Sequence, residues 1–182
     1  MLICQGLAKV TVVTADGRTA LLAIRVGGDL VGEMSALNDQ PRSATVTTCS
    51  PALVRIIHMR QFKPFLAAHP EAAVELAAMV ANRLRQSNRH RIDFMSYPVP
   101  TRVARIIAEI ARTHGRRTPN GLVIDVRLTQ PELATICGAA ETTVQKALRE
   151  LRSDGLIDTD YRRITVRDLT GLRMLAQFEV DD

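Results

Sequence analysis

A chain of 182 residues with 46% hydrophobic content can bury a core, in one large domain or two small ones. Aromatics are only 3% and Trp is absent, which argues against a surface for stacking single-stranded bases, while a net charge of +5, carried almost wholly by Arg, suits a polyanionic partner. The three Cys at 4, 49 and 137 are too scattered for a disulfide framework, a zinc site or an iron–sulfur sensor, and no apolar run of 18 residues or leader pattern occurs, so a cytoplasmic protein with no membrane partner is expected.

Residues 1–60 read as an all-β segment of short strands, consistent with a small roll or barrel. Leu7 to Val13 is rich in β-branched residues, Ala15-Asp16-Gly17-Arg18 is a turn signal, and Thr19 to Val26 returns, which predicts a hairpin. Gly27-Gly28-Asp29 breaks the chain, and Leu30 to Leu37 reads as a short helical turn opened by a glycine. Arg42 to Thr48 and Ala52 to Ile57 read as further strands.

Gly32 to Val46, GEMSALNDQPRSATV, places anion-binding groups close together. Gly32 allows close backbone approach, and the helical turn after it presents free N–H groups. If the loop through Asp39 and Pro41 folds back, Arg42 can clamp the same anion in two hydrogen bonds, with the Ser43 hydroxyl and N–H beside it. Glu33 is out of place beside an anion unless the ligand also offers a sugar hydroxyl. Phosphate plus ribose means a nucleotide; a plain surface loop with a solvated Arg and a capping Glu fits the same residues.

Residues 61–97 read as a helical connection. Arg60 to His69 is expected to be a short helix or turn interrupted by Pro64, and Pro70 then opens an unbroken helix to about Ser96. Ala73, Ala77, Val80, Leu84, Ser87 and Arg91 recur at four and three residues, a heptad seam that suits a parallel homodimer, though the helix could instead pack on its own roll. Ser87 and Asn88 interrupt the seam with small polar groups that could also fix dimer register.

Residues 98–182 read as a DNA-binding domain. Pro98-Val99-Pro100 is a hinge, Thr101 is expected to cap a helix over Arg102 to Thr113, His114 to Gly121 is a basic loop, and Leu122 to Val126 is a strand. Thr129 with Glu132 is a capping box, and Pro131 lies in the first turn behind it. Leu133, Ala134, Ile136 and Cys137 make one apolar side of a short helix, Gly138 ends it, and Val144, Ala147, Leu148 and Leu151 form the stripe of a second. The second helix keeps Glu141, Thr142, Gln145, Lys146, Arg149 and Arg152 on its outer face. That is the pattern of a helix-turn-helix whose second helix enters a major groove, or of an ordinary helix pair in a core. A hairpin around Asp160-Tyr161-Arg162-Arg163 follows as a wing whose Arg162 and Arg163 should meet phosphates, and Asp168 caps a last helix over Leu169 to Phe178. From residue 97 on, 13 Lys plus Arg face 12 Asp plus Glu, so the basic face is local and nonspecific affinity should be modest.

The first motif resembles the phosphate-binding cassette of cyclic-nucleotide-binding domains, GE-x-x-x-L-x-x-x-P-R-x-A-x-V, at Gly32, Glu33, Leu37, Pro41, Arg42, Ala44 and Val46. With the helix-turn-helix in the same order and spacing, the whole chain resembles the cyclic-AMP receptor protein / fumarate-nitrate regulator family of bacterial transcription factors. The resemblance implies an α+β fold: an N-terminal β-roll (1–60), a long dimerisation helix (61–97) and a C-terminal winged helix-turn-helix (98–182). Family members carry a helix and further strands ahead of the point matching Met1, so the roll is expected to be partly truncated, with an exposed edge.

The same resemblance implies cyclic AMP or cyclic GMP as an allosteric ligand. Gly32, Arg42 and Ser43 would hold its phosphate and Glu33 its ribose 2′-hydroxyl, with Met34 in the same site. Arg83 would add a second phosphate contact, and Ser87 and Asn88 would read the base. It also implies a homodimer on double-stranded DNA, with RNA polymerase as a further partner. Thr129, Glu141, Thr142, Thr143, Gln145, Lys146, Arg149, Arg162 and Arg163 would be the DNA-facing residues. Where many members have Ser-Arg-Glu-Thr-Val, this chain has Ala140-Glu141-Thr142-Thr143-Val144, so a different half-site is expected. A ligand-independent or differently sensing regulator of the same fold is the alternative. The four His at 58, 69, 90 and 114 have no Cys or carboxylate partners in the pattern, so neither a metal nor an enzyme is expected.

Overall fold

The computed structural model describes residues 1–124, 126–161 and 163–178. The chain forms two compact units, Met1–Val12 with Ile24–Met95, and Val13–Ala23 with Ser96–Asp182.

Strand β1 (Leu2–Gln5) pairs antiparallel with β5 (Leu53–Arg55), and β2 (Leu7–Val13) lies between β3 (Thr19–Val26) and β4 (Thr45–Thr48). Ile3, Ala8 and Val31 are buried together, with Met1 and Val46 against them. Residues 42–44 precede β4 rather than opening it, which leaves Arg42 in the loop instead of on a ladder. Between β3 and β4 comes α1 (Glu33–Asn38), and after β5 come α2 (Met59–Ala68) and α3 (Pro70–Ser96). Pro64 lies inside α2 and does not interrupt it. Its cost is one helical hydrogen bond, and Phe62, two residues earlier, is the buried side chain of this helix.

Helix α3 runs 27 residues without one buried side chain. Along the predicted seam only Ala73 is half-buried; Ala77, Val80, Leu84, Ser87 and Arg91 are exposed on the single chain. An apolar seam left bare on so long a helix gains little burial within its own chain.

The second unit is built on α4 (Val99–His114), whose Val103, Ile106, Ile107 and Ile110 are buried. Each such side chain contributes roughly 1.5–3 kcal/mol relative to remaining exposed. The expectation that Thr101 caps this helix is corrected: the cap is Pro98, Pro100 falls in the first turn, and Thr101 is buried inside it. A proline there starts a helix, because the N–H it lacks would have had no partner. Arg105 of α4 stacks between the rings of Tyr97 and Phe178, at 4.6 and 4.4 Å, and donates to the Ala176 carbonyl at 2.7 Å.

The predicted basic loop is also corrected. Residues 115–118 form β6 (Gly115–Thr118), which pairs with β7 (Gly121–Ile124) in an antiparallel sheet of order β6-β7-β9-β8. The wing strands are β8 (Ile157–Asp160) and β9 (Arg163–Val166), in register from Ile157–Val166 to Asp160–Arg163. The last helix, α7 (Leu169–Leu175), is capped by Asp168 as expected but ends before Phe178. The helix-turn-helix is α5 (Gln130–Cys137) and α6 (Glu141–Ser153). The outer end of the β2–β3 hairpin belongs to this unit, where the Leu21 N–H donates to Thr135 Oγ1 at 3.0 Å.

Cys137 closes α5 against this core. Burial pushes its thiol up from 9.0 to about 12, against the smaller opposing pull of the Arg102 charge. Its folded value lies above its unfolded one, so its contribution to stability is full below pH 9 and fades as pH rises towards 12. At mildly alkaline pH an alkylating reagent is expected to modify exposed Cys4 quickly, and Cys137 only after urea is added. Equal rates at the two thiols in the native protein would contradict this packing.

Candidate ligand pocket and nucleic-acid interface

Gly32 is the N-cap of α1, with φ 79°, a left-handed conformation that favours glycine. The Arg42 guanidinium lies directly over it: Nη1 donates to the Gly32 carbonyl at 2.7 Å, and a Cβ built on Gly32 would meet that nitrogen at 2.0 Å. The glycine is therefore required twice, for its backbone angle and for the space Arg42 occupies. The loop does fold back, held by a hydrogen bond of 3.3 Å from Ser35 Oγ to the Pro41 carbonyl and by Lys63 on Asp39 at 2.5 Å.

Glu33, the next residue, is 6% exposed, and its Oε1 accepts from Arg83 Nη1 at 2.5 Å. The other Arg83 nitrogen, Nη2, donates to the Leu30 carbonyl at 2.7 Å and to Asp29 Oδ1 at 3.3 Å. Asp29 is itself held by the Val26 N–H at 2.9 Å. Half-buried Arg25 joins the cluster: burial and then the Arg83 charge disfavour its charged form, while Asp29 and Glu33 favour it. With Arg42, three guanidinium groups and two carboxylates thus converge beside the glycine.

Gly32, Glu33, Arg42 and Arg83 are brought together in this way. Met34, Ser43, Ser87 and Asn88 are exposed, and among the described residues no side-chain hydrogen bond ties them to the cluster. Sequence reasoning passed over Asp29 as part of a Gly-Gly turn, and only the pairing across the fold reveals its role.

In the second unit the helix-turn-helix forms as its signals specify. The Glu132 N–H donates to Thr129 Oγ1 at 3.3 Å, and Glu132 Oε2 accepts from the Thr129 N–H at 2.8 Å. Thr129 is therefore half-buried and committed to its cap. Gly138 ends α5 at φ 58°, and Arg102 Nη2 donates to its carbonyl at 3.3 Å. Val144, Ala147, Leu148 and Leu151 bury the inner side of α6.

The outer side of α6 faces a cleft of about 600 Å3 between the helix-turn-helix and the wing, lined among others by Gln130, Glu141, Gln145, Arg149, Tyr161 and Arg163. Thr142, Thr143, Lys146, Arg149 and Arg163 are exposed. Lys146 lies 3.9 Å from Glu150, one turn on, a pair too exposed to hold it from another anion. Arg152 Nη1 donates to Thr159 Oγ1 at 3.2 Å, and Arg167 bridges Asp158 at 2.5 Å and the Asn120 carbonyl at 2.9 Å. Arg162 lies outside the described residues. Gln130, which meets Gln145 at 2.7 Å, was not among the predicted contacts.

Two family models match: the cyclic nucleotide-binding domain over residues 1–69, and the Crp-like helix-turn-helix domain over residues 101–175. The CRP-like cAMP-activated global transcriptional regulator of Mycobacterium tuberculosis (strain H37Rv) is 30% identical over 176 residues, covering 97% of this chain and 79% of that protein. The cAMP-activated global transcriptional regulator CRP of Pasteurella multocida is 26% identical, covering 89% of this chain and 78% of that one. Among solved structures, a CRP-family transcriptional regulator from Thermus thermophilus superposes with a TM-score of 0.81 at 26% identity, over 99% of this chain and 88% of that one. No helix among the described residues is long and apolar enough to cross a membrane.

Proposed function

The chain belongs to the cyclic-AMP receptor protein / fumarate-nitrate regulator family of transcription regulators, and on that premise we propose that it is a dimeric regulator whose DNA binding is switched by a cyclic nucleotide, cyclic AMP in the first place. The observation that carries the reading is the Arg42 guanidinium lying over Gly32 beside the buried Glu33 carboxylate. Arg42 donates to the neutral Gly32 carbonyl. A cyclic phosphodiester would take over that donor as a charge-assisted acceptor, joined by Ser43, while Glu33 accepts from the ribose 2′-hydroxyl. Arg83 backs Glu33, and Ser87 and Asn88, one turn further along α3, meet the base.

Residues 1–60 would be the sensor, 61–97 the dimerisation stalk through the bare α3 seam, and 98–182 the reader, working in the cytoplasm with RNA polymerase as a partner. The nucleotide switches the protein only if it binds the DNA-competent arrangement more tightly than the other. A second reading, regulation without a nucleotide, draws on Arg83, which satisfies the Glu33 carboxylate from within the chain. Calorimetric titration of the purified dimer with cyclic AMP and cyclic GMP, followed by gel shift on a randomised duplex library, decides between them. Heat on cyclic AMP addition together with nucleotide-dependent retention of DNA is expected. DNA retention with no heat from either nucleotide would select the second reading.

The reader should also have its own half-site. Glu141 can accept from a cytosine amino group and Thr142 can pack on a thymine methyl. Binding-site selection is expected to yield a half-site distinct from the one read by an Arg-Glu pair; recovery of that usual family half-site would overturn the prediction.

A further inference from the structure

Helices α5 and α6 each supply one amide to a short hydrogen-bonded chain on the outer side of the helix-turn-helix. Gln145 Nε2 lies 2.7 Å from Gln130 Oε1 and 3.4 Å from Glu141 Oε1. An ionised carboxylate only accepts, so the Gln145 atom facing Glu141 must be its nitrogen. That nitrogen then donates to Gln130 as well, so the Gln130 atom it meets must be the oxygen. Both amide hydrogens of Gln145 are committed, and what remains for a ligand is its Oε1, an acceptor. Glu141, one helical turn earlier, presents a second acceptor.

We infer that Gln130 is a positioning residue for DNA specificity: it holds the Gln145 amide so that only its oxygen meets a base edge, selecting adenine or cytosine over guanine or thymine at that position. The inference rests on the proposal above that α6 enters the major groove. There, adenine and cytosine present amino donors, whereas guanine shows two acceptors and thymine an acceptor and a methyl group. An untethered glutamine turns its amide either way and offers donor and acceptor together. Gln130 is well placed to tether it. It is the first residue of α5, directly after Thr129 and inside the Thr129–Glu132 capping box, so its backbone is fixed where its side chain must reach. Gln145 is half-buried against it, and Gln130, Glu141 and Gln145 line the same cleft. An ordinary surface amide pair, exchanging freely with water, would leave base choice untouched.

The test uses the full chain with saturating cyclic AMP and a duplex library randomised over the half-site, for wild type, Gln145→Ala, Gln130→Ala and Gln130→Glu. Wild type is expected to prefer A or C at one position by about tenfold, within the range of a good polar base contact. Gln145→Ala loses that preference. Gln130→Ala admits guanine at the same position and narrows the discrimination by about tenfold, with the salt dependence of binding unchanged because no phosphate contact is lost. Gln130→Glu keeps an acceptor for Gln145 and so keeps the preference, even if its added charge weakens all duplexes alike. The inference is overturned if Gln130→Ala selects the wild-type bases as strongly as wild type, if Gln130→Glu relaxes like Gln130→Ala, or if Gln145→Ala changes no position. If wild type retains no member of the library, with or without cyclic AMP, the reading as a DNA-binding regulator falls and takes this inference with it. An unchanged motif in Gln130→Ala overturns the inference alone.

Discussion

Replacing Arg42 by Ala is expected to weaken cyclic AMP binding by at least about 100-fold and to remove the nucleotide dependence of DNA binding. The side chain is exposed and makes one hydrogen bond, to the Gly32 carbonyl, so the fold should tolerate its loss with a stability change below about 1 kcal/mol. The effect on the ligand is larger because a phosphodiester would take two charge-assisted hydrogen bonds from the fork, each contributing roughly 1.5–3 kcal/mol. Arg42→Lys should recover little, since an ammonium keeps the charge but not the planar pair of donors. Calorimetry with cyclic AMP on wild type and both variants reads this directly. Undiminished affinity in Arg42→Ala, or DNA binding that stays fully dependent on cyclic AMP, would remove Arg42 from the ligand site.

The legible parts of this protein are those whose physics is local. The helix-turn-helix shows in the sequence because each of its devices spans only a few residues: the Thr129–Glu132 box, the left-handed Gly138, and the three-and-four spacing of Val144, Ala147, Leu148 and Leu151. The cassette is legible for a similar reason, since Gly32 and Arg42 are ten residues apart and joined by one turned loop. Misreadings occurred where a local signal has two meanings. Pro100 looks like the end of a hinge but serves equally well in the first turn of α4. Arg116 and Arg117 look like a loop because β6 has no alternation of apolar residues; its strand is decided by backbone pairing with Val123 and Leu122 across a turn held by Thr118 Oγ1 on the Gly121 carbonyl at 2.9 Å.

Pairings across long stretches of chain were not legible. Arg83 meets Glu33 across 50 residues, and Gln145 meets Gln130 across 15, through the turn between two helices. No periodicity encodes such meetings, because each follows from how separate elements pack. In the cassette this matters chemically: the family motif points to Glu33 as a ribose acceptor, but only the fold reveals that the same carboxylate is paired with a cation of its own chain.

That ion pair leads to a large expected effect on stability. Arg83→Ala should destabilise the first unit by about 2–4 kcal/mol at neutral pH, somewhat below the roughly 3–5 kcal/mol typical of breaking a fully buried ion pair, because the Arg83 side chain is 19% exposed. The cost comes mainly from Glu33, whose side chain is 5% exposed and would be left charged without its partner. Glu33→Gln should cost less, about 1 kcal/mol, since Arg83 would keep Asp29 and the Leu30 carbonyl. The double variant should then be more stable than Arg83→Ala alone, because the stranded charge is gone. Urea unfolding of the four proteins, followed by circular dichroism, measures the cycle. If the double variant lost as much as the two single changes added together, Glu33 and Arg83 would not be energetically coupled. The pair would then be a surface contact with no part in holding the cassette ready for a ligand.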